Sequence, residues 1–449
     1  MKSGNWSEMG TGKSAITLAV LRILYNQELI DNILIICPLS VVETWRTEIE
    51  KHTTFEYTRL VGTLNNKIKL LKKKTPIFLI SYDSISGRKQ TLGVLFSAIT
   101  EKKFDVIICD EATHLKSYKA LRTKAVMQLC DSVPRTIFLS GQPIIGKPEE
   151  VLTIYRVMDG GTTFGKNFWA ARHRYFENWG SAFPDWHLRK DKSEEFKERL
   201  FTNCTRVLKS ECLQLPEKIF TERYAYLTPE QIGVYVPIAQ ELLQILHLPA
   251  GEVKITNKLV KLAKLSQISN GFVYTDKEPQ VFAHNPKLDL LQTVIEEVPE
   301  DEKIVIFAKW RQDIETIKQY LSSHDIGYSV IHGSVKDRQT PIANFTNDED
   351  TRVLLSQITA GAYGLNLMAA NHVIYYSFGF SAGEWIQSQD RIHRIGQTKT
   401  CLYISLLCAS TVDMYIADVL KNKTDLAKSL TDEVSVNRLK RNLELLCHS

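Results

Sequence analysis

The sequence lacks the features that mark common classes of extracellular and membrane protein. Its eight cysteines include no CxxC pair, and an even count in a chain of 449 residues does not make a disulfide framework. No apolar run approaches the roughly 18–20 residues that cross a bilayer. The first residues, MKSGNWSE, also lack the basic-then-apolar pattern of a signal peptide. These absences predict an intracellular protein in a reducing compartment, cytoplasmic in a bacterial or viral setting and nuclear in a eukaryotic one, with no membrane partner.

Strong charge bias and metal-ligand spacing are absent as well. The formal net charge of +5 over 449 residues permits a nucleic-acid partner without indicating one. The 11 histidines show no HExxH pattern and no Cys/His ligand spacing, so we predict no zinc site. The hydrophobic content of 44% and charged content of 24% are those of a globular protein, and the length suggests two or three domains.

Short apolar runs rich in β-branched residues recur in two series. The first series comprises NILIICP, PIFLISYD, FDVIICDEA and RTIFLSGQP, and the second comprises EKIVIFAKW, YSVIHG, RVLLSQ, HVIYYSF and CLYISLL. Continuous rather than alternating apolar strands are typical of parallel sheets that are covered on both faces. Helical patterns such as VVETWRTEIEKH and RQDIETIKQYLSSH separate the runs. This alternation predicts βαβ units in two α/β lobes.

The alternation divides the chain into four segments. We predict a first lobe at 1–155, a helical insertion and linker at 156–286, a second lobe at 287–430 and a polar helical tail at 431–449. The insertion contains FWAARHRYFENWGSAFPDWH, in which aromatic and basic residues are interleaved. Such a stretch is typical either of a platform on which nucleic-acid bases stack or of aromatic packing within a helical segment.

The stretch EMGTGKS, close to the start of the chain, predicts a phosphate-binding loop. Gly10 and Gly12 let backbone N–H groups converge on phosphate oxygens without interference from a Cβ atom. Lys13 offers a positive charge to the β- and γ-phosphates, and the Ser14 hydroxyl can bind Mg²⁺. A helix from Ala15 would then point its positive end at the anion. The full pattern GxxxxGK[ST] is not met, because a serine stands where its first glycine belongs, so a chance glycine-rich turn is the alternative.

Two further stretches add the other groups that nucleotide hydrolysis requires. In FDVIICDEATHLKS, Asp110 and Glu111 follow a buried strand, where Asp110 would hold Mg²⁺ and Glu111 would orient the attacking water. Solvated acids at a helix start are the alternative. In WIQSQDRIHRIGQ, Arg391 and Arg394 are three residues apart, so on one helical turn they would project to the same side and stabilise charge on a γ-phosphate. A basic surface helix is the alternative.

Eight stretches, taken in order, form a recognisable set: EMGTGKS, CPLSVVETWRTEI, LISYDSI, DEATHLK, LSGQPI, IVIFAKW, AGAYGLNL and QDRIHRIGQ. This set resembles the motifs of the Swi/Snf-type ATPases of helicase superfamily 2, and the ending DRxHRIGQ is its most family-specific part. The resemblance extends from about Glu8 to about Asp418. It implies an α/β fold of two RecA-like parallel-sheet lobes with a helical insertion between them. It also implies an ATP hydrolase that uses ATP and Mg²⁺ and tracks along double-stranded DNA through phosphate contacts.

The resemblance implies roles for individual residues. The residues that would bind the phosphates of ATP are Gly10, Thr11, Gly12, Lys13 and Ser14. Ser14 and Asp110 would hold the metal, and Glu111 would act on the water. The residues that would sense the γ-phosphate from the second lobe are Gln387, Arg391 and Arg394. The residues in motifs that lie along the DNA backbone, or couple it to the ATP site, are Ser40, Tyr82, Ser140, Gly141, Trp310, Thr359 and Gly364.

The chain departs from the family pattern in two places that matter for function. The pattern has a full first strand before the loop and a segment whose glutamine reads adenine. We expect both to be missing here, which predicts an N-terminally truncated first lobe. Gln142 stands where the family usually has threonine, so coupling of ATP state to movement is either altered or tolerant of this change.

The function that the resemblance implies is an ATP-dependent translocase on duplex DNA in repair, recombination or remodelling. The sequence leaves two alternatives open. One is a strand-separating helicase on DNA or RNA, and the other is a truncated DNA-binding protein that does not hydrolyse ATP.

Overall fold

The computed structural model describes residues 1–85, 89–141, 144, 147–179, 186–247, 255–275, 278–333, 337–361, 365–422, 426–430 and 433–447. The chain forms two compact units, Met1–Gln214 and Leu215–Ser449. Each unit is built on one large parallel sheet, which confirms the predicted α/β fold class with two parallel-sheet lobes. Within the described ranges, no helix is both long enough and apolar enough to span a bilayer.

The large sheet of the first unit has seven strands, all parallel, in the order β3-β4-β2-β5-β6-β1-β9. In chain order the strands of this unit, which include a separate β7–β8 hairpin, are β1 (Lys2–Asn5), β2 (Ile33–Cys37), β3 (Tyr57–Arg59), β4 (Ile77–Ser81), β5 (Val106–Asp110), β6 (Arg135–Leu139), β7 (Phe176–Asn178), β8 (Trp186–Leu188) and β9 (Cys204–Thr205). The four strands of the first apolar series are confirmed, and they lie side by side as β4-β2-β5-β6. All residues of β2 are buried, as expected for a sheet that is covered on both faces.

Helices follow most of these strands. The α-helices of the first unit are α1 (Lys13–Asn26), α2 (Val42–His52), α3 (Leu64–Leu71), α4 (Tyr82–Ile85), α5 (Lys89–Glu101), α6 (Leu121–Asp131), α7 (Glu150–Asp159), α8 (Phe168–Tyr175), α9 (Ser193–Thr202) and α10 (Lys209–Cys212). Short 3₁₀ helices lie at Leu39–Val41, Ala112–Leu115 and Lys190–Lys192. The predicted helical patterns near residues 15 and 41 correspond to α1 and α2.

A strand precedes the predicted phosphate loop, so the expectation that the first strand is missing is wrong. β1 pairs in parallel with β6 and with β9. Its sequence, KSGN, is polar and carries no strand signal, because its conformation is imposed by partners that are remote in the chain. Gly4 permits the close packing: a Cβ atom there would lie 2.5 Å from the Trp6 ring and 2.8 Å from the Cys204 sulfur.

The second unit has a six-stranded parallel sheet in the order β10-β17-β16-β13-β15-β14. Its strands, together with a separate β11–β12 hairpin, are β10 (Lys218–Ala225), β11 (Phe272–Tyr274), β12 (Pro279–Val281), β13 (Lys303–Ala308), β14 (Tyr328–Ile331), β15 (Val353–Gln357), β16 (Ala370–Tyr375) and β17 (Cys401–Cys408). All five strands of the second apolar series are confirmed. β10 escaped prediction because it is a partly exposed edge strand with a polar sequence, KIFTERYA.

The helices of the second unit are α11 (Pro229–His247), α12 (Ile255–Ser269), α13 (Pro286–Glu297), α14 (Arg311–Ser323), α15 (Gln339–Asn347), α16 (Ile358–Gly361), α17 (Ala382–Gln389), α18 (Val412–Lys421), α19 (Leu426–Ser429) and α20 (Glu433–Cys447). The predicted tail contains α20, and its Leu439 and Leu443 are fully buried in the main core of this unit. A buried ion pair between Lys287 of α13 and Asp413 of α18 joins two helices of the unit.

The segment 156–286, predicted as a helical insertion and linker, is divided between the two units. It contains strands β7 to β12 as well as helices, so it is not purely helical. β9 joins the first large sheet and β10 joins the second. The regions of regular strand–helix alternation, 1–155 and 287–430, are therefore each extended by part of this segment.

Candidate nucleotide-binding site

The functional residues predicted in the first unit lie along one edge of its sheet. Because all the strands are parallel, their carboxyl ends share an edge, which is where open α/β sheets bind ligands. The loop after β1 contains the residues Gly10 to Ser14, and Asp110 is the last residue of β5. Ser40, Tyr82 and Ser140 follow β2, β4 and β6, respectively. The sheet therefore collects groups that are far apart in the sequence.

The loop after β1 has the backbone conformation that its glycines predict. Gly10 and Gly12 have φ angles of 82° and 84°, in the left-handed region that favours glycine. Gly12 is the N-cap of α1, which begins at Lys13 rather than at Ala15, and no side chain of a described residue caps this end. A helix N-terminus that follows such a glycine turn is a common binding position for an anion.

The side chain of Lys13 lies within this loop. Its Nζ donates hydrogen bonds to the carbonyl oxygens of Ser7, at 2.9 Å, and Glu8, at 3.0 Å. The Thr11 hydroxyl also donates to the Glu8 carbonyl, at 2.7 Å. A loop that is wrapped around an ammonium group, next to a helix N-terminus, fits the negative charge of a phosphate.

A remote segment supports the loop from behind. The Glu8 N–H donates to the Val207 carbonyl at 2.9 Å, and the Val207 N–H donates to the Ser7 hydroxyl at 3.1 Å. The Lys209 N–H donates to Glu8 Oε2 at 2.8 Å. Ser7 is the residue that breaks the GxxxxGK[ST] pattern, and its hydroxyl accepts one of these bonds. Sequence reasoning missed this support, because nothing local connects residues so far apart.

The residues after β6 pack directly on the loop. The Ser140 N–H donates to the Asn5 carbonyl at 3.2 Å. A Cβ atom on Gly141 would lie 2.7 Å from Cγ of Met9, so only glycine allows this approach. This contact suits the predicted coupling role of the LSGQP stretch. Gln142 lies outside the described residues.

Hydrogen bonds from three directions hold Asp110. Its Oδ2 accepts from Trp45 Nε1 at 2.9 Å, and its Oδ1 accepts from the Glu111 N–H at 2.9 Å. Its carbonyl oxygen accepts from the Tyr82 hydroxyl at 2.8 Å. The carboxylate is therefore held in one orientation by α2 and by its own chain. Trp45 was not predicted, because the pattern of α2 marks it only as a core residue.

Glu111 lies in a strained backbone conformation. Its φ and ψ angles are 49° and 55°, in the left-handed region that residues other than glycine rarely occupy. Its exposed fraction is 8%, so the carboxylate is largely buried. Strain of this kind in a buried polar residue is found mostly at functional sites.

Tyr82 is buried and connects Asp110 to the following 3₁₀ helix. Its ring stacks on His114 with the centroids 5.5 Å apart and an angle of 8° between the planes. Burial, together with the charge of Arg122, lowers the pKa of His114 to about 4, so this histidine is neutral at pH 7. Because Tyr82 is only 1% exposed, its position suits a coupling role better than direct contact with DNA.

The arginines of the second unit do not lie on one helical turn, so that expectation is wrong. Helix α17 ends at Gln389, and Arg391 and Arg394 follow in a series of turns. The Leu367 N–H donates to the Arg391 carbonyl at 3.1 Å, so a neighbouring segment takes up a backbone group that a longer helix would use. Arg391 is buried, with 6% exposed, and Arg394 is half-buried.

Gln387 lies on α17, and its exposed fraction is 6%. The neighbouring His393 ring, also buried, contacts the Pro216 carbonyl at 2.8 Å. The first part of the DRIHRIGQ stretch, up to His393, is therefore largely buried and held by tertiary contacts, whereas Ile395 is exposed. The two arginines and Gln387 belong to one segment of the second unit.

Hydrogen bonds from side chains to the Lys309 backbone connect the strands at the carboxyl edge of the second sheet. Trp310 follows β13, and the carbonyl of the preceding Lys309 accepts a bond from Gln357 Nε2 at 3.0 Å. The Lys309 N–H donates to the Ser377 hydroxyl at 2.7 Å. Thr359, on α16, is exposed. Gly364 lies outside the described residues.

Charged side chains at this second edge are shielded from water. The Lys309 ammonium lies against the rings of Trp310 and Phe380. Burial lowers the pKa of Lys309 to about 6, although Asp313 and Glu384 act in the opposite direction. Burial also raises the pKa of Asp313 to about 7. Lys309 is therefore mostly neutral above pH 6 and Asp313 mostly neutral below pH 7, so both groups are largely uncharged only slightly below neutral pH.

Comparison with protein families gives two matches that together cover most of the chain. Residues 6–272 match the SNF2-related domain, and residues 286–396 match the helicase conserved C-terminal domain. The first match includes the loop and the Asp110–Glu111 pair. The second includes Gln387, Arg391 and Arg394.

Curated relatives are similar along nearly the whole chain. An uncharacterized ATP-dependent helicase of Mycoplasma genitalium is 26% identical over 98% of this chain and 41% of its own length. The human DNA annealing helicase and endonuclease ZRANB3 is 26% identical over 94% of this chain and 38% of its own length. The chain thus spans about two fifths of the length of these relatives.

Among solved structures, the SWI2/SNF2 ATPase core of Sulfolobus solfataricus in complex with dsDNA is 23% identical. The alignment covers 98% of this chain and 92% of that one, with a TM-score of 0.43.

Proposed function

The chain belongs to the SNF2-related ATPases that carry a helicase C-terminal domain, and on this basis we propose that it is an ATP-driven translocase on duplex DNA. Membership confirms the predicted enzyme class, an ATP hydrolase of helicase superfamily 2. The observation that supports the proposal is the edge of the first sheet, where the glycine loop with Lys13 follows β1 and the Asp110–Glu111 pair is at the end of β5. A role in repair, recombination or remodelling of DNA is part of the proposal, and the human relative is named as a DNA annealing helicase and endonuclease.

In this proposal, ATP binds at the edge of the first sheet. The N–H groups of the loop from Gly10 to Gly12 and the ammonium of Lys13 bind phosphate oxygens. Ser14 and Asp110 would hold Mg²⁺ together with the substrate, since Mg²⁺ usually takes one or two protein ligands in addition to phosphate oxygens. When bound, the ion neutralises charge that develops on the phosphates.

This donor set fits the metal. Within the described residues there is no cluster of three or more His, Cys, Asp or Glu that could hold a metal ion by itself. A single oriented carboxylate next to a phosphate loop is the arrangement that nucleotide-bound Mg²⁺ needs. The Trp45 N–H and the Glu111 N–H hold the Asp110 carboxylate in place without neutralising it.

Glu111 would act on the attacking water. Its carboxylate is one residue beyond the metal carboxylate, in a rigid and strained backbone position, and it would orient the water and accept its proton. Gln387, Arg391 and Arg394 of the second unit would stabilise charge on the γ-phosphate. Their support is the match of residues 286–396 to the helicase C-terminal domain.

Contacts with DNA would be made to phosphates and would therefore be independent of sequence and sensitive to salt. Among the predicted residues, Thr359 is exposed, and Ser40 and Trp310 are half-buried. Tyr82, Ser140 and Gly141 lie behind the loop and the metal carboxylate, where they would transmit the state of ATP.

The test is ATP hydrolysis by the chain alone and with blunt duplex, single-stranded and forked DNA, with Lys13→Ala as the inactive reference. We expect duplex DNA to stimulate hydrolysis and the active protein to displace a third strand from a triplex without separating the duplex. Separation of a duplex would favour the helicase alternative. Binding of DNA with no hydrolysis under any condition would favour the ATPase-deficient alternative.

A further inference from the structure

The aromatic and basic stretch of the first unit forms a small hairpin whose two faces differ. β7 and β8 are antiparallel, with Glu177 opposite His187 and Asn178 opposite Trp186. Successive side chains of a strand point to opposite faces, so Trp186 and His187 face in opposite directions. The two residues therefore need separate explanations.

The face that carries Trp186 packs on helix α8. The guanidinium of Arg172, on α8, lies 4.0 Å from the centroid of the Trp186 ring and 4.4 Å from that of Trp169. The His173 ring meets Trp186 edge-on, with the centroids 5.1 Å apart. An isolated two-stranded hairpin is only marginally stable in water, so these contacts with α8 hold it in place. Packing on α8 accounts for the position of the Trp186 ring.

Packing does not explain the face that carries His187. The His187 ring stacks on Trp179, with the centroids 4.2 Å apart and 17° between the planes. Trp179 is 62% exposed, and it stands just past the end of β7. An indole that is stacked on a histidine and still 62% exposed leaves a large apolar surface in contact with water, and it adds little to the core.

Exposed lysines lie on either side of the hairpin in the sequence, and Glu177 is opposite His187 within it. Residues 166–192 contain six Lys or Arg and three Asp or Glu, although Arg174 and Lys192 pair with Glu195 and Arg189 pairs with Asp191. Lys166 and Lys190 are exposed. A ligand with a flat apolar ring and a nearby negative charge would satisfy both features, and a nucleotide unit of a nucleic acid has both.

We propose that the Trp179–His187 stack binds an unpaired nucleobase of DNA, with neighbouring lysines contacting its phosphates. The proposal rests on the proposed function, which brings DNA to this protein. Both faces of a base in a duplex are covered by its neighbours, whereas an unpaired base at a fork or gap can extend the His187–Trp179 stack by one ring. Stacking of this kind tolerates any base. The site would direct the protein to DNA with single-stranded arms.

The test compares binding to forked DNA and to blunt duplex of the same length, measured by fluorescence anisotropy in the absence of nucleotide. We expect Trp179→Ala to weaken fork binding about five-fold or more, because stacking on one aromatic side chain usually contributes at least that factor. Duplex binding and duplex-stimulated ATP hydrolysis should not change. Trp179→Phe, which keeps a ring, should retain most of the preference for forks.

Two further variants control for nonspecific effects. Trp179→Leu keeps an apolar side chain without a flat ring, so it should lose the fork preference as Trp179→Ala does while preserving the hairpin. Tyr226→Ala removes an aromatic residue that is 73% exposed in the second unit and should bind both DNAs like the wild type. The melting temperature of each variant is measured, and DNA affinities are compared only among variants that melt at the same temperature as the wild type.

Unchanged affinity of Trp179→Ala and Trp179→Leu for forked DNA would contradict the proposal that the stack binds a base. Contact with a protein partner would then be the explanation for the exposed Trp179. Equal loss of fork and duplex binding would also overturn it, since the residue would then contact paired DNA. Absence of duplex-stimulated ATP hydrolysis in the wild type would instead contradict the proposed function. The nucleotide-free comparison of fork and duplex would still report on the stack in that case.

Discussion

The carboxyl edges of the two parallel sheets both contain charged side chains, but those side chains lie in different environments. In the first unit, hydrogen bonds hold the Asp110 carboxylate and the Lys13 ammonium, and the loop that contains Lys13 has two glycines in the left-handed conformation. In the second unit, Lys309 lies against aromatic rings, and Asp313 is buried with a raised pKa. The first edge suits the phosphate and metal of the proposed function, whereas burial at the second edge favours the uncharged forms of Lys309 and Asp313.

The comparison teaches that a shared strand topology does not confer a shared chemistry. Hydrogen bonds that hold a charged group without neutralising it leave that group available to a ligand. Burial among aromatic rings favours the uncharged form and stabilises a core instead. The Arg391–Arg394 segment lies in the second unit and combines burial with charge, which suits groups that act only when a negative charge is brought to them.

The largest expected effect is at Glu111, and it would sharpen the assignment of catalysis to the first edge. We expect Glu111→Gln to lower the rate of ATP hydrolysis about 1,000-fold while ATP still binds, because removal of a general base commonly has an effect of this size. Turnover and nucleotide binding are measured separately. Glu149→Gln is a matched control, since Glu149 is also 8% exposed in the same unit. Normal turnover in Glu111→Gln would remove Glu111 from the site.

The next effect would show whether the second unit contributes to catalysis. We expect Arg394→Ala to lower ATP hydrolysis about 100-fold, because it removes a charge that stabilises the transferred phosphoryl group. Binding of duplex DNA without nucleotide should not change. Arg223→Ala removes an exposed arginine of the same unit and should be neutral in both assays. Parallel loss of hydrolysis and DNA binding would contradict a role at the γ-phosphate.

A smaller effect tests whether the hydrogen bonds at Asp110 matter for the metal. We expect Trp45→Phe, which removes the N–H donor and keeps the ring, to raise the Mg²⁺ concentration for half-maximal hydrolysis about ten-fold. Direct Mn²⁺ binding in the presence of ATP gives a readout that does not depend on turnover. Trp6→Phe is the matched control, because Trp6 is equally buried and its N–H bonds the Tyr155 hydroxyl. The same shift in both variants would indicate a general loss of packing.

The smallest effect concerns Lys309 at the second edge, where burial favours the uncharged amine. Burial moves the pKa of Lys309 from 10.5 to about 6, so between these values the unfolded chain binds the extra proton and the folded state gains stability as pH rises. We expect Lys309→Met to melt about 2–4 °C higher than the wild type at pH 6.5, and this difference to shrink towards pH 10. Thermal denaturation at several pH values measures it.

Lys318→Met is the control for that prediction, because Lys318 lies on the surface of α14 and pairs with Glu315. It should show no difference that depends on pH. A constant offset between Lys309→Met and the wild type at all pH values would mean that Lys309 is charged in the folded state, and the contrast between the two edges would then be lost.

The strands predicted from apolar runs were all found, because a strand that is buried on both faces must be apolar along its whole length. β1, β9 and β10 were missed, since their sequences are polar and their conformation comes from partners across a sheet. The helical turn expected for Arg391 and Arg394 failed for a related reason. The three-residue spacing of the arginines is a local signal for a helix. The Leu367 N–H, however, bonds to the Arg391 carbonyl, which a continued helix would use for its own hydrogen bond.

The sequence by itself determined the class of fold, the family, and the residues whose chemistry suits phosphate and metal, because these depend on residue type and on order along the chain. Only the tertiary structure decided how these residues are held: Ser7 by Val207, Asp110 by Trp45, and Gly141 against Met9. It also separated Trp186, which packs, from Trp179, which is exposed. Hydrogen bonds and burial join residues that are distant in the chain, and no local pattern records which of them will meet.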